Sequence, residues 1–80
     1  MELQFINGEF SQSEAISLIT QLVEVKIKYQ EQKIKNSQNE EDVKMRELKI
    51  ISLQKELADT RGYILKNTNN ITITSTINLK

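Results

Sequence analysis

Apolar residues recur at helical spacing from Ser13 to Tyr29. Ala15, Leu18, Leu22, Val25 and Tyr29 form one row at steps of three and four, and Ile16, Ile19, Val23 and Ile27 form a second row beside it. At 100° per residue the two rows span roughly 200° of helix surface, against an apolar stripe nearer 100° wide on an ordinary amphipathic helix. A helix of this kind must be covered on two sides. Ser11-Gln12-Ser13-Glu14 opens it as a capping box, in which Ser11 accepts from the backbone near Glu14 and Glu14 reaches back to Ser11. The predicted helix covers 12–35. Glu14 and Glu24 precede Lys26, Lys28, Lys33 and Lys35, among which Glu31 is the one acid, an order that suits the helix dipole.

A second helix is predicted over 40–66, after a loop at Asn36-Ser37-Gln38-Asn39. Ser37 with Glu40 fits another capping box, and Glu40-Glu41-Asp42 would lie at the positive end of the helix. Val43, Ile50, Leu57 and Ile64 are spaced by seven, with Leu53 between the second and third. That spacing marks a coiled-coil seam, which Arg46 and Thr60 interrupt. Ile51, Ala58 and Leu65 repeat at the same interval as a neighbouring row. Because Ile64 and Leu65 continue both rows, the helix is expected to run through Gly62, at a cost of about 1 kcal/mol.

Period-2 alternation marks both ends of the chain. Met1, Leu3 and Phe5 alternate with Glu2 and Gln4, predicting a strand over 1–6 that stops at an Asn7-Gly8 turn. Ile71, Ile73, Ile77 and Leu79 alternate with Thr72, Thr74, Thr76 and Asn78, predicting a strand over 70–79. Two helices of similar length return the chain to its start. The second strand is therefore expected to run antiparallel to the first, or to pair with its own copy in another subunit. The expected fold is mainly α: a single domain, 1–80, built as an antiparallel, coiled-coil-like two-helix hairpin. Short N-terminal and C-terminal strands flank the hairpin, and copies assemble into a homo-oligomeric helical bundle.

Composition narrows the chemistry. The chain has 80 residues, no Cys and no His. Disulfides, thiolate and imidazole metal sites, and His-activated nucleophiles are thereby removed. Oligomerisation is the remaining common support for so small a core. Eleven basic and eleven acidic residues cancel, so no net field draws nucleic acid or an anionic membrane. No apolar run reaches the length of a membrane span and no leader pattern opens the sequence, so a cytoplasmic protein is expected. Consecutive side chains on a helix point about 100° apart, so Glu40, Glu41 and Asp42 read as dipole-compensating capping residues and no metal is expected. No catalytic constellation is present, and no enzyme activity or cofactor is expected.

The expected function is that of a non-catalytic interaction protein, an adaptor or inhibitor acting as a homo-oligomer and engaging another protein. The interface residues read from the two helices are Ile16, Leu18, Ile19, Leu22, Val23, Val25, Tyr29, Ile50, Leu53, Leu57 and Ile64. An alternative is a ligand-sequestering oligomer. Arg61 and Tyr63, with Arg46, would hold a small anionic, nucleotide-like molecule between subunits, since Arg pairs bidentately with anions and stacks on flat rings. A weaker alternative is a nucleic-acid-binding regulator. The strand–helix–helix order is shared with ribbon–helix–helix DNA binders, but Glu2 and Gln4 stand on the strand and the helices are about twice too long for that fold.

Overall fold

A computed structural model describes every residue, Met1–Lys80. Ser11 caps helix α1 (Gln12–Lys35) with the reciprocal capping box: its hydroxyl accepts from Glu14 N–H at 3.1 Å and its own N–H donates to Glu14 Oε1 at 3.0 Å. Helix α2 (Glu40–Lys66) opens differently from the sequence expectation. Asn39, not Ser37, is its cap, and Asn39 Oδ1 accepts from the N–H groups of Glu41 and Asp42 at 2.8 and 3.3 Å. Ser37 lies two residues too early, and its hydroxyl instead accepts from Asn39 N–H. Gly62 lies inside α2 with an ordinary helical backbone, as Ile64 and Leu65 require.

The helices run antiparallel, with the heptad row of α2 turned toward α1. Leu53 and Ile64 are buried, and Val43, Ile50 and Leu57 are partly buried. On α1 the row Ile16, Ile19, Val23 and Ile27 is partly buried along its whole length. Three α1 side chains that bracket this row reach α2 by hydrogen bonds: Gln12, Thr20 and Gln30.

Both strands are present and form one antiparallel ribbon, β1 (Glu2–Phe10) with β2 (Ile71–Asn78). Strand β1 is longer than 1–6, and Asn7-Gly8 is not a turn. Asn7 pairs with Thr74 and Gly8 with Ile73, and neither residue has the positive φ that a tight Asn-Gly turn demands. A full-length partner strand overrides the local turn signal.

One irregularity makes the long pairing work. Gln4 faces Thr76 and Ile6 faces Ser75, leaving Phe5 as an extra residue. A one-residue bulge shifts the phase of the strand. Leu3 before it and Ile6, Gly8 and Phe10 after it therefore lie on the same face, opposite Ile77, Ser75, Ile73 and Ile71. The other face carries Glu2, Gln4, Asn7 and Glu9 against Asn78, Thr76, Thr74 and Thr72. The ribbon is thus apolar on one side and polar on the other. Helix α1 touches the apolar side only over a short length.

The molecule that results is long and thin. Its Cα extents are 47 × 32 × 13 Å and its radius of gyration is 15.2 Å. A compact chain of 80 residues would have a radius of gyration of about 12 Å. Only Ile6, Ala15, Leu53 and Ile64 are buried. No helix is long and apolar enough to cross a membrane.

Candidate interaction surface

The hairpin holds its register with three polar clasps. Near the loop, Arg46 Nη1 donates to Gln30 Oε1 at 2.8 Å while its Nε donates to Asp42 Oδ2 at 3.1 Å. Further along, Arg61 Nη2 donates to Thr20 Oγ1 at 3.0 Å. At the open end, Gln12 Nε2 donates to the carbonyls of Ile64 and Asn67, two acceptors at the C-terminal end of α2. Thr60, the other polar residue in the heptad row, satisfies its hydroxyl on the Glu56 carbonyl at 2.7 Å. The polar interruptions of the seam are therefore all partnered within the chain.

Two carboxylates are held below their ordinary pKa. Glu14 is lowered by the Ser11 backbone N–H and hydroxyl in the capping box. Asp42 is lowered by the Ser37 hydroxyl and then by the Arg46 guanidinium. Both effects belong to helix starts. No three carboxylates in the structure converge on a common point.

The residues considered for an anionic ligand are spread apart. Arg61 and Tyr63 are two positions apart on one helix and so face different directions. Arg46 lies fifteen residues before Arg61, about 22 Å along the helix axis. Arg46 is committed to Asp42 and Gln30, Arg61 to Thr20, and the Tyr63 ring is exposed. The open concavities of the surface are lined elsewhere. One is formed by Phe10, Ser13, Glu14, Ser17, Leu18 and Gln21, and another lies at the loop around Ser37 and Glu40. The four late lysines of α1 are exposed, and Lys33 sits 5.6 Å from the centre of the Tyr29 ring.

The feature that stands out is apolar surface. Of the residues read as interface, Leu53 and Ile64 are buried and Ile16, Ile19, Val23, Ile50 and Leu57 are partly buried. Leu18 and Leu22 are partly buried, whereas Val25 and Tyr29 are 66% and 54% exposed. The row from Ala15 to Tyr29 is thus covered at its start and open at its end. Helix α2 has an outer row that the seven-residue repeat only partly revealed. Leu48, Ile51, Ala58, Gly62 and Leu65 follow the three–four spacing, with Lys55 as the single charge. Ile51 and Leu65 are 59% and 64% exposed. A Cβ added at Gly62 would meet nothing within 4 Å, so no neighbour in the chain requires a glycine there.

On the ribbon, Met1, Leu3, Ile77 and Leu79 are exposed beyond the part covered by α1. Phe5, at the bulge, is also half exposed. Three exposed apolar zones therefore remain, on α1, on α2 and on the far half of the ribbon. No protein-family model, curated protein or solved structure matches this chain.

Proposed function

We propose that the protein is a non-catalytic interaction protein, an adaptor or inhibitor, that works as a homo-oligomer whose hairpins join in a helical bundle. One observation carries this reading: the surface is too large for the mass. The chain exposes 6496 Å² at 9.3 kDa. A compact monomer of that mass exposes about 5,000 Å², so roughly 1,500 Å² is in excess. A standard interface needs about 800 Å² from each partner. Val25, Tyr29, Ile51 and Leu65 are among the large apolar residues that this surface exposes. Exposed apolar area of this extent is the usual mark of a binding surface. The absence of His and Cys supports a role without acid–base or thiol chemistry.

The test is a charged replacement of the outer rows, Val25→Lys with Ile51→Lys. Neither side chain belongs to the seam, so the hairpin keeps its helical circular dichroism. Affinity capture from the native host is run with both forms. The reading expects a protein held by the unmodified chain and lost from the variant. Identical capture by the two forms would remove the outer rows from any binding role.

A further inference from the structure

The two free edges of the ribbon are built differently. The β1 edge carries Glu2 and Glu9, the bulge at Phe5 and Gly8. Charges and bulges are the devices by which proteins blunt a sheet edge. The β2 edge has none of them: Ile-Thr-Ile-Thr-Ser-Thr-Ile-Asn is uncharged and pairs without a break in register. Leu79 exchanges both backbone hydrogen bonds with Met1. Backbone groups alternate sides along a strand, so the N–H and C=O groups of Thr72, Thr74, Thr76 and Asn78 face away from β1. They form an open hydrogen-bonding row.

We propose that this row pairs with the β2 row of a second copy, antiparallel about a two-fold axis perpendicular to the sheet. The product is one four-stranded sheet ordered β1–β2–β2–β1. The inference deepens the homo-oligomer reading and rests on it.

Three observations select a second copy as the occupant. First, the strand is self-complementary. Two-fold pairing centred on Thr74 sets Thr74 against Thr74 and Thr72 against Thr76 on the polar face and Ile71 against Ile77 on the apolar face, and brings no like charges together. Second, the apolar face is covered only at its near half. Ile6 is buried and Ile71 and Ile73 are partly buried, while Leu3, Ile77 and Leu79 are open. Antiparallel pairing centred on Thr74 puts the open far half of each ribbon beside the covered near half of the other, next to the other copy's helices. A foreign peptide added to the same edge would bring no such cover. Third, a lone two-stranded ribbon is marginally stable, and three or more strands with an apolar face are needed for independent stability.

Thr74→Pro tests the pairing. Its N–H faces the free edge, so proline there removes no bond to β1. Light scattering on the unmodified chain should give twice the 9.3 kDa chain mass. The variant should give a lower mass than the unmodified chain at the same concentration, with its helical signal unchanged. If Thr74→Pro does not fold, Thr74→Lys is used, which keeps the N–H but sets like charges across the pair and should weaken association by about tenfold or more. In the unmodified chain, amide exchange at Thr72, Thr74 and Thr76 should slow as the dimer forms. A folded Thr74→Pro variant that dimerises as tightly as the unmodified chain would overturn the edge pairing and leave the homo-oligomer reading intact. An unmodified chain that stays monomeric would overturn both, and uptake of an extended peptide by that monomer would assign the edge to a foreign strand.

Discussion

The hairpin and the ribbon solve the same problem unequally. Each must fix the register of two antiparallel segments and cover an apolar face. The hairpin does both within one chain: apolar rows meet along the seam, and the Gln12, Thr20–Arg61 and Gln30–Arg46 clasps pin the register at intervals. The ribbon does only the first. Its register is set by backbone pairing and corrected by the bulge at Phe5, but half of its apolar face lies beyond the helices. The chain is therefore complete in one region and incomplete in others. Its seam is finished; its outer rows and the far end of its ribbon are not.

The strongest break of this comparison is a pair of truncations. Ile64 is 2% exposed at the hairpin's open end, and Ile64→Ala should cost about 3 kcal/mol. For a chain of this size that lowers Tm by roughly 12–24 °C, readable in a thermal melt followed by circular dichroism. Ile77→Ala, on the uncovered part of the ribbon, should cost under about 1 kcal/mol in dilute solution. Its cost should rise with protein concentration as a second copy covers that half. Equal costs for the two at all concentrations would erase the contrast.

The clasp at the loop end comes next. A double-mutant cycle of Arg46→Ala and Gln30→Ala, measured by urea unfolding, should return a coupling of about 1 kcal/mol. Zero coupling would leave the register to the apolar seam alone. Gly62→Ala should raise stability by a similar amount, about 1 kcal/mol, because the site has space for a Cβ and a helical backbone. Ser11→Ala and Asn39→Ala should each cost about 1 kcal/mol by removing a helix cap. Ser37→Ala should cost less than Asn39→Ala, since Asn39 is the cap.

The smallest effect is the acid response. Glu14 and Asp42 are lowered in the folded chain relative to their ordinary values. Depressed carboxylates contribute stability above their unfolded pKa, near 4, and that contribution disappears as pH falls through the lower folded value. Unfolding midpoints should therefore decline below about pH 4, and Glu14→Gln should flatten that decline. A steeper decline in the Glu14→Gln variant would contradict the capping-box assignment.

Some of this architecture was legible in the residues and some was not. The heptad row from Val43 to Ile64 predicts the seam because a period of 3.5 has only one way to face a partner helix. The capping box at Ser11 and the continuation through Gly62 follow from equally local rules. Strand β1 was not legible in full. The bulge at Phe5 breaks the alternation, and Asn7-Gly8 imitates a turn that the pairing with β2 overrides. The second cap was misplaced because Ser37 and Asn39 both precede the acidic run, and only the chain path shows which oxygen reaches the first N–H groups. The division of labour between the rows of α1 needed the partner helix in place. The Gln12 clasp carried no sequence signal, since one glutamine among many marks nothing. Arg61 and Tyr63 are of types rare in this chain, and a two-residue step on a helix sends them in different directions.

The central claim is that a single copy leaves its apolar surface unfinished and a second copy completes it. Sedimentation equilibrium over a concentration series tests this most directly. A folded species of at least twice the 9.3 kDa chain mass is expected at micromolar concentration, dissociating on dilution. A well-folded 9.3 kDa monomer throughout the series would contradict it.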